Sequence, residues 1–140
     1  MPARASAEWK GELKSGSGTF ATEYGIKGEY SFRTRFEDAP GANPEQLIAA
    51  AHAACFSMAL AAGLGEAGTP AESVKTDATV TLRPVDGAPT ITSIALRTVA
   101  TVPGIDESAF QDAAKQAKAG CPVSRALAGV QEITLEASLG

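Results

Sequence analysis

The two cysteines carry the most specific chemistry that this sequence offers. Cys55 lies in the apolar run Ala53-Ala54-Cys55-Phe56, where a thiol is ordinarily a small buried hydrophobe with a raised pKa. Cys121 stands before Pro122, which is typical of a helix start, where free backbone N–H groups favour the thiolate. From local sequence alone, Cys121 is therefore predicted to be the more acidic thiol, although an indifferent residue could also fill such a cap.

A redox-active thiol needs help to ionise, because only the thiolate attacks the O–O bond of a peroxide. With a pKa of about 8.5, roughly 3% of a thiol is ionised at pH 7, whereas with a pKa of about 6 the fraction is about 90%. One close arginine in a desolvated pocket can supply such a shift if a carboxylate holds the guanidinium in place. Arg35 and Glu45 are candidates for this pair, the alternative being two unrelated surface charges.

The single histidine, His52, lies three residues before Cys55. A Cys/His hydrolase pair is conceivable, but a thiol and an imidazole on one straight helix seldom align for proton transfer. With one histidine and no Cys-x-x-Cys or His-x-x-His spacing, the sequence also argues against a structural zinc site.

Length and composition predict one globular domain over residues 1–140. A net charge of −4, with 12 Lys and Arg set among 16 acids and no basic cluster, argues against a nucleic-acid partner. Residues 1–11 lack the apolar stretch of a secretory signal. Two cysteines without an export signal suggest a reducing, cytoplasmic setting, in which a cysteine pair is more often catalytic than structural.

The predicted elements alternate in the order βββ-α-ββ-α-α-β, which gives an α+β fold. Residues 32–36 alternate strictly, so we expect extended backbone with the two aromatic side chains on one face and the two arginines on the other or at its edge. A second helix begins at Asp106 or Ser108 and a short third one at Cys121. Strands are expected at residues 5–11, 18–22, 28–32, 74–82, 90–102 and 132–137.

The longest predicted element is a helix that begins with Asn43 as N-cap, Pro44 at the first position and Glu45 in the first turn, and that ends near Leu64. It is apolar on nearly all sides, which predicts a central core helix covered on most of its surface. Its alanine content, His52 near the middle and flanking glutamates argue against a membrane span.

Several of these segments together resemble the osmotically inducible protein C (OsmC) family. The stretch NPEQLIAAAHAACFSMAL at residues 43–60 looks like the family's first-cysteine helix, and LGEAG (64–68), VPGID (102–106) and KAGCPVS (118–124) are similar to further family segments. The resemblance runs from about Trp9, through residues 16–18 and 34–37, to residues 133–135, which is nearly the whole chain. It includes both cysteines at a family-like spacing.

The resemblance implies reduction of organic hydroperoxides, and less efficiently of hydrogen peroxide, without metal or bound cofactor. It implies an intertwined homodimer with two active sites at the subunit interface, where a long central helix packs against a strongly curved antiparallel sheet. By this likeness Cys55 is the peroxidatic nucleophile and Cys121 the resolving cysteine, while Arg35 and Glu45 ionise and orient the nucleophile. Arg33 is the alternative arginine, because a sister branch of the family takes its arginine from another stretch.

The implied cycle ends with a dithiol, for which the family suggests lipoyl groups, reducing a Cys55–Cys121 disulfide. Local sequence predicts that Cys121 is the more acidic thiol, whereas the family likeness makes Cys55 the attacking one. The two agree if the subunit interface brings Arg35 to Cys55, since a neighbouring cation can outweigh a helix dipole worth about 1 kcal/mol. Two other functions stay open at this point, a dimeric binding protein for an apolar small molecule and a cysteine-dependent hydrolase.

Overall fold

The computed structural model describes residues 1–140 and divides the chain into two compact units, Met1–Leu47 and Ile48–Gly140. The elements in chain order are β1 (Ala5–Lys10), β2 (Ser17–Thr22), β3 (Lys27–Tyr30), α1 (Phe32–Phe36), α2 (Pro44–Glu66), β4 (Ser73–Val85), β5 (Ala88–Thr101), α3 (Glu107–Gly120), α4 (Pro122–Ala126) and β6 (Glu132–Leu139). The predicted α+β class, with antiparallel strand pairs and a long helix, is confirmed.

The first unit contains an antiparallel three-stranded sheet in the order β1-β2-β3. Trp9 and Tyr30 pack across Gly18 with ring centroids 5.5 Å apart. A Cβ atom at Gly18 would lie 2.5 Å from the Tyr30 ring and 2.7 Å from the Trp9 ring, so only glycine permits this stacking.

The prediction of extended backbone at residues 32–36 is wrong, because this segment forms helix α1. Ser31 caps the helix by accepting a hydrogen bond from the Thr34 N–H at 3.2 Å, and the Ser31 N–H donates to Thr34 Oγ1 at 2.9 Å. This reciprocal capping box stabilises a helical turn. Phe32 and Phe36 still share a face, since residues four apart are neighbours on a helix, and their ring centroids are 5.0 Å apart.

The second unit contains the sheet β4-β5-β6. Strands β4 and β5 form a long antiparallel hairpin with an irregularity at Thr81/Leu82. Strand β6 pairs with β5 in parallel, which departs from the all-antiparallel sheet expected, because helices α3 and α4 carry the chain back across the sheet before β6 begins.

One stripe of helix α2 forms the centre of the core of the second unit. His52, Phe56, Leu60 and Leu64 are fully buried and recur every four residues, as a single helix face requires. Phe56, Leu60 and Leu64 belong to one buried cluster with Ile94, Leu96 and Ala100 of β5 and Phe110, Ala114 and Ala117 of α3.

The prediction that α2 is covered on most of its surface is wrong for the single chain. Only 22% of the residues in its most apolar 18-residue segment are buried, and Met58 is 76% exposed. By length and composition this helix would also be able to cross a membrane, with a mean hydropathy of 1.8 over that segment, but core helices of soluble proteins meet the same criterion.

Candidate active site

The fold of the second unit brings the two cysteine sulfurs together. Cys55 Sγ and Cys121 Sγ lie 2.9 Å apart and are hydrogen-bonded as free thiols. Cys55 is half-buried, whereas Cys121 is fully buried. Since an S–S bond is about 2.05 Å long, a shift of roughly 1 Å would join the two atoms. The thiol that solvent can reach is that of Cys55.

Local sequence explains why Cys121 sits where it does. Pro122 disfavours helical backbone at the preceding residue, so α3 ends at Gly120 and α4 begins at Pro122. Cys121 is thus both the C-cap of α3, where its N–H donates to Ala117 O at 2.8 Å, and the N-cap of α4. The side chain is held at a sharp junction between two helices.

The surroundings shift the pKa values of the two thiols in opposite directions. Burial raises the pKa of Cys55, the hydrogen bond and charge of Cys121 raise it further, and the Val123 N–H offsets part of the increase. Burial alone would raise the pKa of Cys121, but the polar hydrogens of Cys55, Ser124 and Val123 outweigh burial and lower the pKa. No cation is among the groups that act on Cys55.

The other predicted pair, Arg35 and Glu45, forms within the first unit. Arg35 Nη2 donates to Glu45 Oε1 at 2.8 Å, and Arg35 Nε donates to Oε1 at 3.1 Å and to Oε2 at 3.3 Å. Glu45 is only 6% exposed and lies in the first turn of α2, where the helix dipole favours a carboxylate. A bidentate contact to a buried partner fixes both the position and the plane of the guanidinium.

Arg33 has a different partner. Its Nε lies 3.5 Å from Glu37 Oε2 in a pair whose side chains are 74% and 54% exposed. Exposed pairs of this kind contribute little and hold their side chains loosely. Of the two arginines, Arg35 is therefore the one that is rigidly positioned.

A cavity of about 390 Å³ opens beside Arg35 in the first unit. Its walls are mostly apolar and aromatic, and one guanidinium is its charged group. The lining residues are Trp9, Gly11, Leu13, Tyr30, Ser31, Phe32, Arg35 and Phe36. Such a lining suits an apolar ligand with one polar end.

His52 contacts Ser124 and not Cys55. His52 Nε2 lies 2.7 Å from Ser124 Oγ, and His52 Nδ1 is buried without a hydrogen-bond partner. Burial lowers the pKa of His52, so the ring is neutral at pH 7. The Cys/His hydrolase pair considered above is thus not formed. No group of three or more His, Cys, Asp or Glu side chains is arranged to hold a metal ion.

A family model described as "OsmC-like protein" matches residues 36–136. The chain belongs to the OsmC family. It is 51% identical to peroxiredoxin OsmC of Escherichia coli over 138 residues, covering 97% of this chain and 95% of that protein. It is 35% identical to the organic hydroperoxide resistance protein of Xanthomonas axonopodis over 97 residues, covering 68% of this chain and 66% of that protein.

The fold agrees with this assignment. A crystal structure of an OsmC-like protein from Mycoplasma pneumoniae superposes with a TM-score of 0.75, covering 99% of this chain and 97% of that one at 18% identity. As a member of the OsmC family with a peroxiredoxin relative at 51% identity, the chain is an oxidoreductase of the peroxidase type.

Sequence reasoning missed one polar residue of this OsmC-family site, Ser124. It was visible only as the last residue of Cys121-Pro122-Val123-Ser124, where it is the third residue of α4. An N-cap residue and the third helical residue face each other across the first turn of a helix. The position of Ser124 after Cys121 was therefore the signal that could have found it. Its contact with His52 joins residues far apart in the chain and has no local signature.

Proposed function

We propose that this protein reduces organic hydroperoxides, and hydrogen peroxide less efficiently, with Cys55 as the attacking thiol and Cys121 as the resolving thiol. The observation that carries this proposal is the 2.9 Å separation of the two sulfurs, of which only Cys55 is partly exposed. A hydroperoxide has access to Cys55, while Cys121 is 0% exposed and its sulfur contacts that of Cys55.

The first step oxidises Cys55. The Cys55 thiolate attacks the terminal oxygen of the hydroperoxide, and an S–O bond forms as the O–O bond breaks. The departing alkoxide takes up the proton that Cys55 released on ionising and leaves as an alcohol. The products are a sulfenic acid on Cys55 and the alcohol, or water when the substrate is hydrogen peroxide.

The second step closes the disulfide, and the third reopens it. The Cys121 sulfur attacks the sulfenic sulfur of Cys55, the S–O bond breaks, and the hydroxyl group leaves as water with the proton of the Cys121 thiol. An external dithiol then reduces the disulfide by thiol exchange and is itself oxidised to a disulfide. Lipoyl groups are the dithiol that we propose.

Cys55 requires a cation that the second unit does not direct at it, because its pKa is raised there. We propose that Arg35 of a second copy supplies this charge in an intertwined homodimer, with Glu45 holding the guanidinium. A close cation in a desolvated site lowers a thiol pKa by about 1 to 3 units. Such a shift would oppose the increase in pKa that burial and Cys121 cause at Cys55.

The uncovered surface of α2 supports the dimer. Met58 is 76% exposed and Leu47 is 37% exposed, and both lie on the helix side opposite the buried stripe, among exposed alanines. An apolar helix face of this extent is usually covered by a partner. Small alanine side chains would let a second helix approach closely.

The aromatic cavity beside Arg35 supports an organic substrate. A bulky alkyl or aryl group would lie against Trp9, Phe32 and Phe36, while the guanidinium would face the peroxide oxygens. Hydrogen peroxide would leave these apolar walls unfilled, so we propose that it reacts more slowly. We further propose that residues 1–140 act as one peroxidase domain in the cytoplasm in response to oxidative or osmotic stress.

Steady-state assays with cumene hydroperoxide and hydrogen peroxide, with dihydrolipoamide as reductant, test the proposed function. We expect higher kcat/KM for cumene hydroperoxide, loss of turnover in Cys55→Ser, and loss of turnover in Cys121→Ser without loss of the first oxidation. Met58→Leu is the control, because it changes a residue outside the cysteine pair and keeps that residue apolar. Full turnover in Cys55→Ser would refute the proposal.

Mixing two inactive variants tests whether Arg35 acts across the dimer. Arg35→Ala retains Cys55, and Cys55→Ser retains Arg35, so a mixed dimer contains one complete site only if the arginine acts on the other subunit. Coexpression of the two should restore about a quarter of the wild-type activity for random pairing. No recovery, with mixed dimers demonstrated by mass spectrometry, would show that Arg35 does not act in trans.

A further inference from the structure

Two buried polar residues, His52 and Ser124, are in contact, and Ser124 lies three residues along the chain from Cys121. His52 is 0% exposed and Ser124 is 8% exposed, and His52 Nε2 lies 2.7 Å from Ser124 Oγ. Ser124 is the third residue of α4, for which Cys121 is the N-cap. Cys121 in turn contacts Cys55. The proposed cycle uses the two sulfurs and assigns nothing to His52 or Ser124.

The surroundings of His52 determine which ring nitrogen carries the proton. Nδ1 is buried and has no partner. A proton on Nδ1 would leave a buried N–H without an acceptor, whereas a bare Nδ1 leaves only an unused lone pair, and buried N–H groups without partners are the rarer and costlier case. The neutral ring therefore carries its proton on Nε2 and donates it to Ser124 Oγ.

This donation leaves the hydrogen of the Ser124 hydroxyl available to another acceptor. Once Ser124 Oγ accepts from His52, its own hydrogen is free to point at Cys121 Sγ. The hydroxyl and amide of Ser124 and the amide of Val123 together help to lower the pKa of Cys121, although none of them reaches the geometry of a full cap hydrogen bond. Cys55 is the one titratable group that acts on Cys121, and no charged Lys, Arg, Asp or Glu does.

We propose that His52 is a positioning residue for the resolving step, acting through the Ser124 hydroxyl on Cys121 Sγ. This inference rests on the proposed function. The oriented O–H stabilises the Cys121 thiolate as it attacks the sulfenic sulfur of Cys55. The S–S bond forms, the S–O bond breaks, and the departing hydroxide combines with the proton released by Cys121 to give water. His52 and Ser124 end the step in the protonation states in which they began it.

Single-turnover experiments on three His52 variants separate this role from a structural one. His52→Gln keeps an N–H donor at a reach similar to that of Nε2, His52→Asn places its donor nearer the backbone, and His52→Ala has none. Each reduced protein is mixed with one equivalent of cumene hydroperoxide, quenched in acid, and analysed by mass spectrometry for the Cys55 sulfenic acid and the disulfide.

We expect His52→Ala and His52→Asn to accumulate the sulfenic acid. Below its pKa, a rise of about one unit in the pKa of Cys121 reduces the thiolate fraction about tenfold. The remaining thiolate is about threefold more nucleophilic, so disulfide formation should slow about threefold. Sulfenic acid formation should be unchanged or faster, because Cys121 then keeps the shared proton more often and Cys55 is ionised more often. His52→Gln should behave as the wild type.

The pKa of Cys121 provides a second readout, measured by thiolate absorbance at 240 nm in the Cys55→Ser background. It should rise in His52→Ala and in Ser124→Ala, and stay in place in His52→Gln. If His52→Ala is too unstable to purify, Ser124→Ala, which lacks the hydroxyl, is compared with Ser124→Thr, which keeps it, in both experiments.

The outcomes distinguish failure of this role from failure of the proposed function. Disulfide formation at the wild-type rate in His52→Ala, an equal slowing of both steps, or equal behaviour of His52→Gln and His52→Ala would overturn the positioning role. In each of these cases peroxide still oxidises Cys55. Peroxide consumption that persists in Cys55→Ser would instead refute the proposed function itself.

Discussion

Arg35 is bonded through two of its three guanidinium nitrogens to Glu45, with Nη2 2.8 Å and Nε 3.1 Å from the same carboxylate oxygen. The carboxylate lies in the first turn of α2, and the arginine lies on the one-turn helix α1. A guanidinium held in this way has a fixed position and a fixed plane, which activation of a thiol by a cation requires.

Arg35→Ala should slow the reaction of Cys55 with cumene hydroperoxide by about a hundredfold at pH 7, because the thiol loses the cation that lowers its pKa. Glu45→Gln should slow it less, by about tenfold, since the guanidinium remains but is less well oriented. Stopped-flow mixing of the reduced proteins measures both. Arg33→Ala is the matched control and should react within about twofold of the wild type. A larger loss in Arg33→Ala than in Arg35→Ala would transfer the role to Arg33.

Met58→Glu should weaken the dimer, because it places a charge on the exposed apolar face of α2. Sedimentation velocity should show a larger monomer fraction, and peroxidase activity should fall in proportion if Arg35 acts across the interface. Val85→Glu adds the same charge at an exposed residue at the end of β4 and should leave both properties unchanged. A Met58→Glu monomer with full activity would contradict the dimeric site.

The fully buried His52 should make the protein acid-sensitive. Its pKa is lowered in the folded state, so the unfolded chain takes up a proton below the ordinary pKa of 6.5 that the folded chain resists. The free energy of unfolding should therefore fall as the pH drops below 6.5, by at most about 1.4 kcal/mol per pH unit, down to the lowered pKa.

Urea unfolding between pH 8 and 5 measures this effect, and His52→Gln is the control because it lacks a titrating group at the site. His52 is the only histidine, so a slope between pH 6.5 and 5.5 that persists unchanged in His52→Gln would show that another group is responsible.

Local signals in the sequence predicted most of the elements. The start of α2 was predictable because Asn43 and Pro44 satisfy a helix N-terminus by themselves, and Asn43 Oδ1 indeed accepts from the Gln46 N–H at 2.9 Å. Pro122 marked the break between α3 and α4 in the same local way. The pairing of Arg35 with Glu45 followed from the resemblance and from the need of a guanidinium for a fixed partner.

Other features had no local signal. Aromatic residues at positions 32 and 36 fit both an alternating strand and one helical turn. The Ser31–Thr34 capping box decides in favour of the helix. The parallel pairing of β6 depends on the path of α3 and α4. The exposed side of α2 depends on how much of the helix the other elements of one chain can cover, and composition does not reveal this.

The most direct test of the central claim is to identify the sulfur that peroxide oxidises first. Reduced Cys121→Ser is mixed with one equivalent of cumene hydroperoxide and dimedone, which labels sulfenic acids, and the labelled residue is found by peptide mass spectrometry, with Cys55→Ser treated identically. The proposed chemistry predicts stoichiometric label on Cys55 in Cys121→Ser and no peroxide-dependent label on Cys121 in Cys55→Ser. Rapid, stoichiometric label on Cys121 in Cys55→Ser, with Cys55 unlabelled in Cys121→Ser, would contradict it.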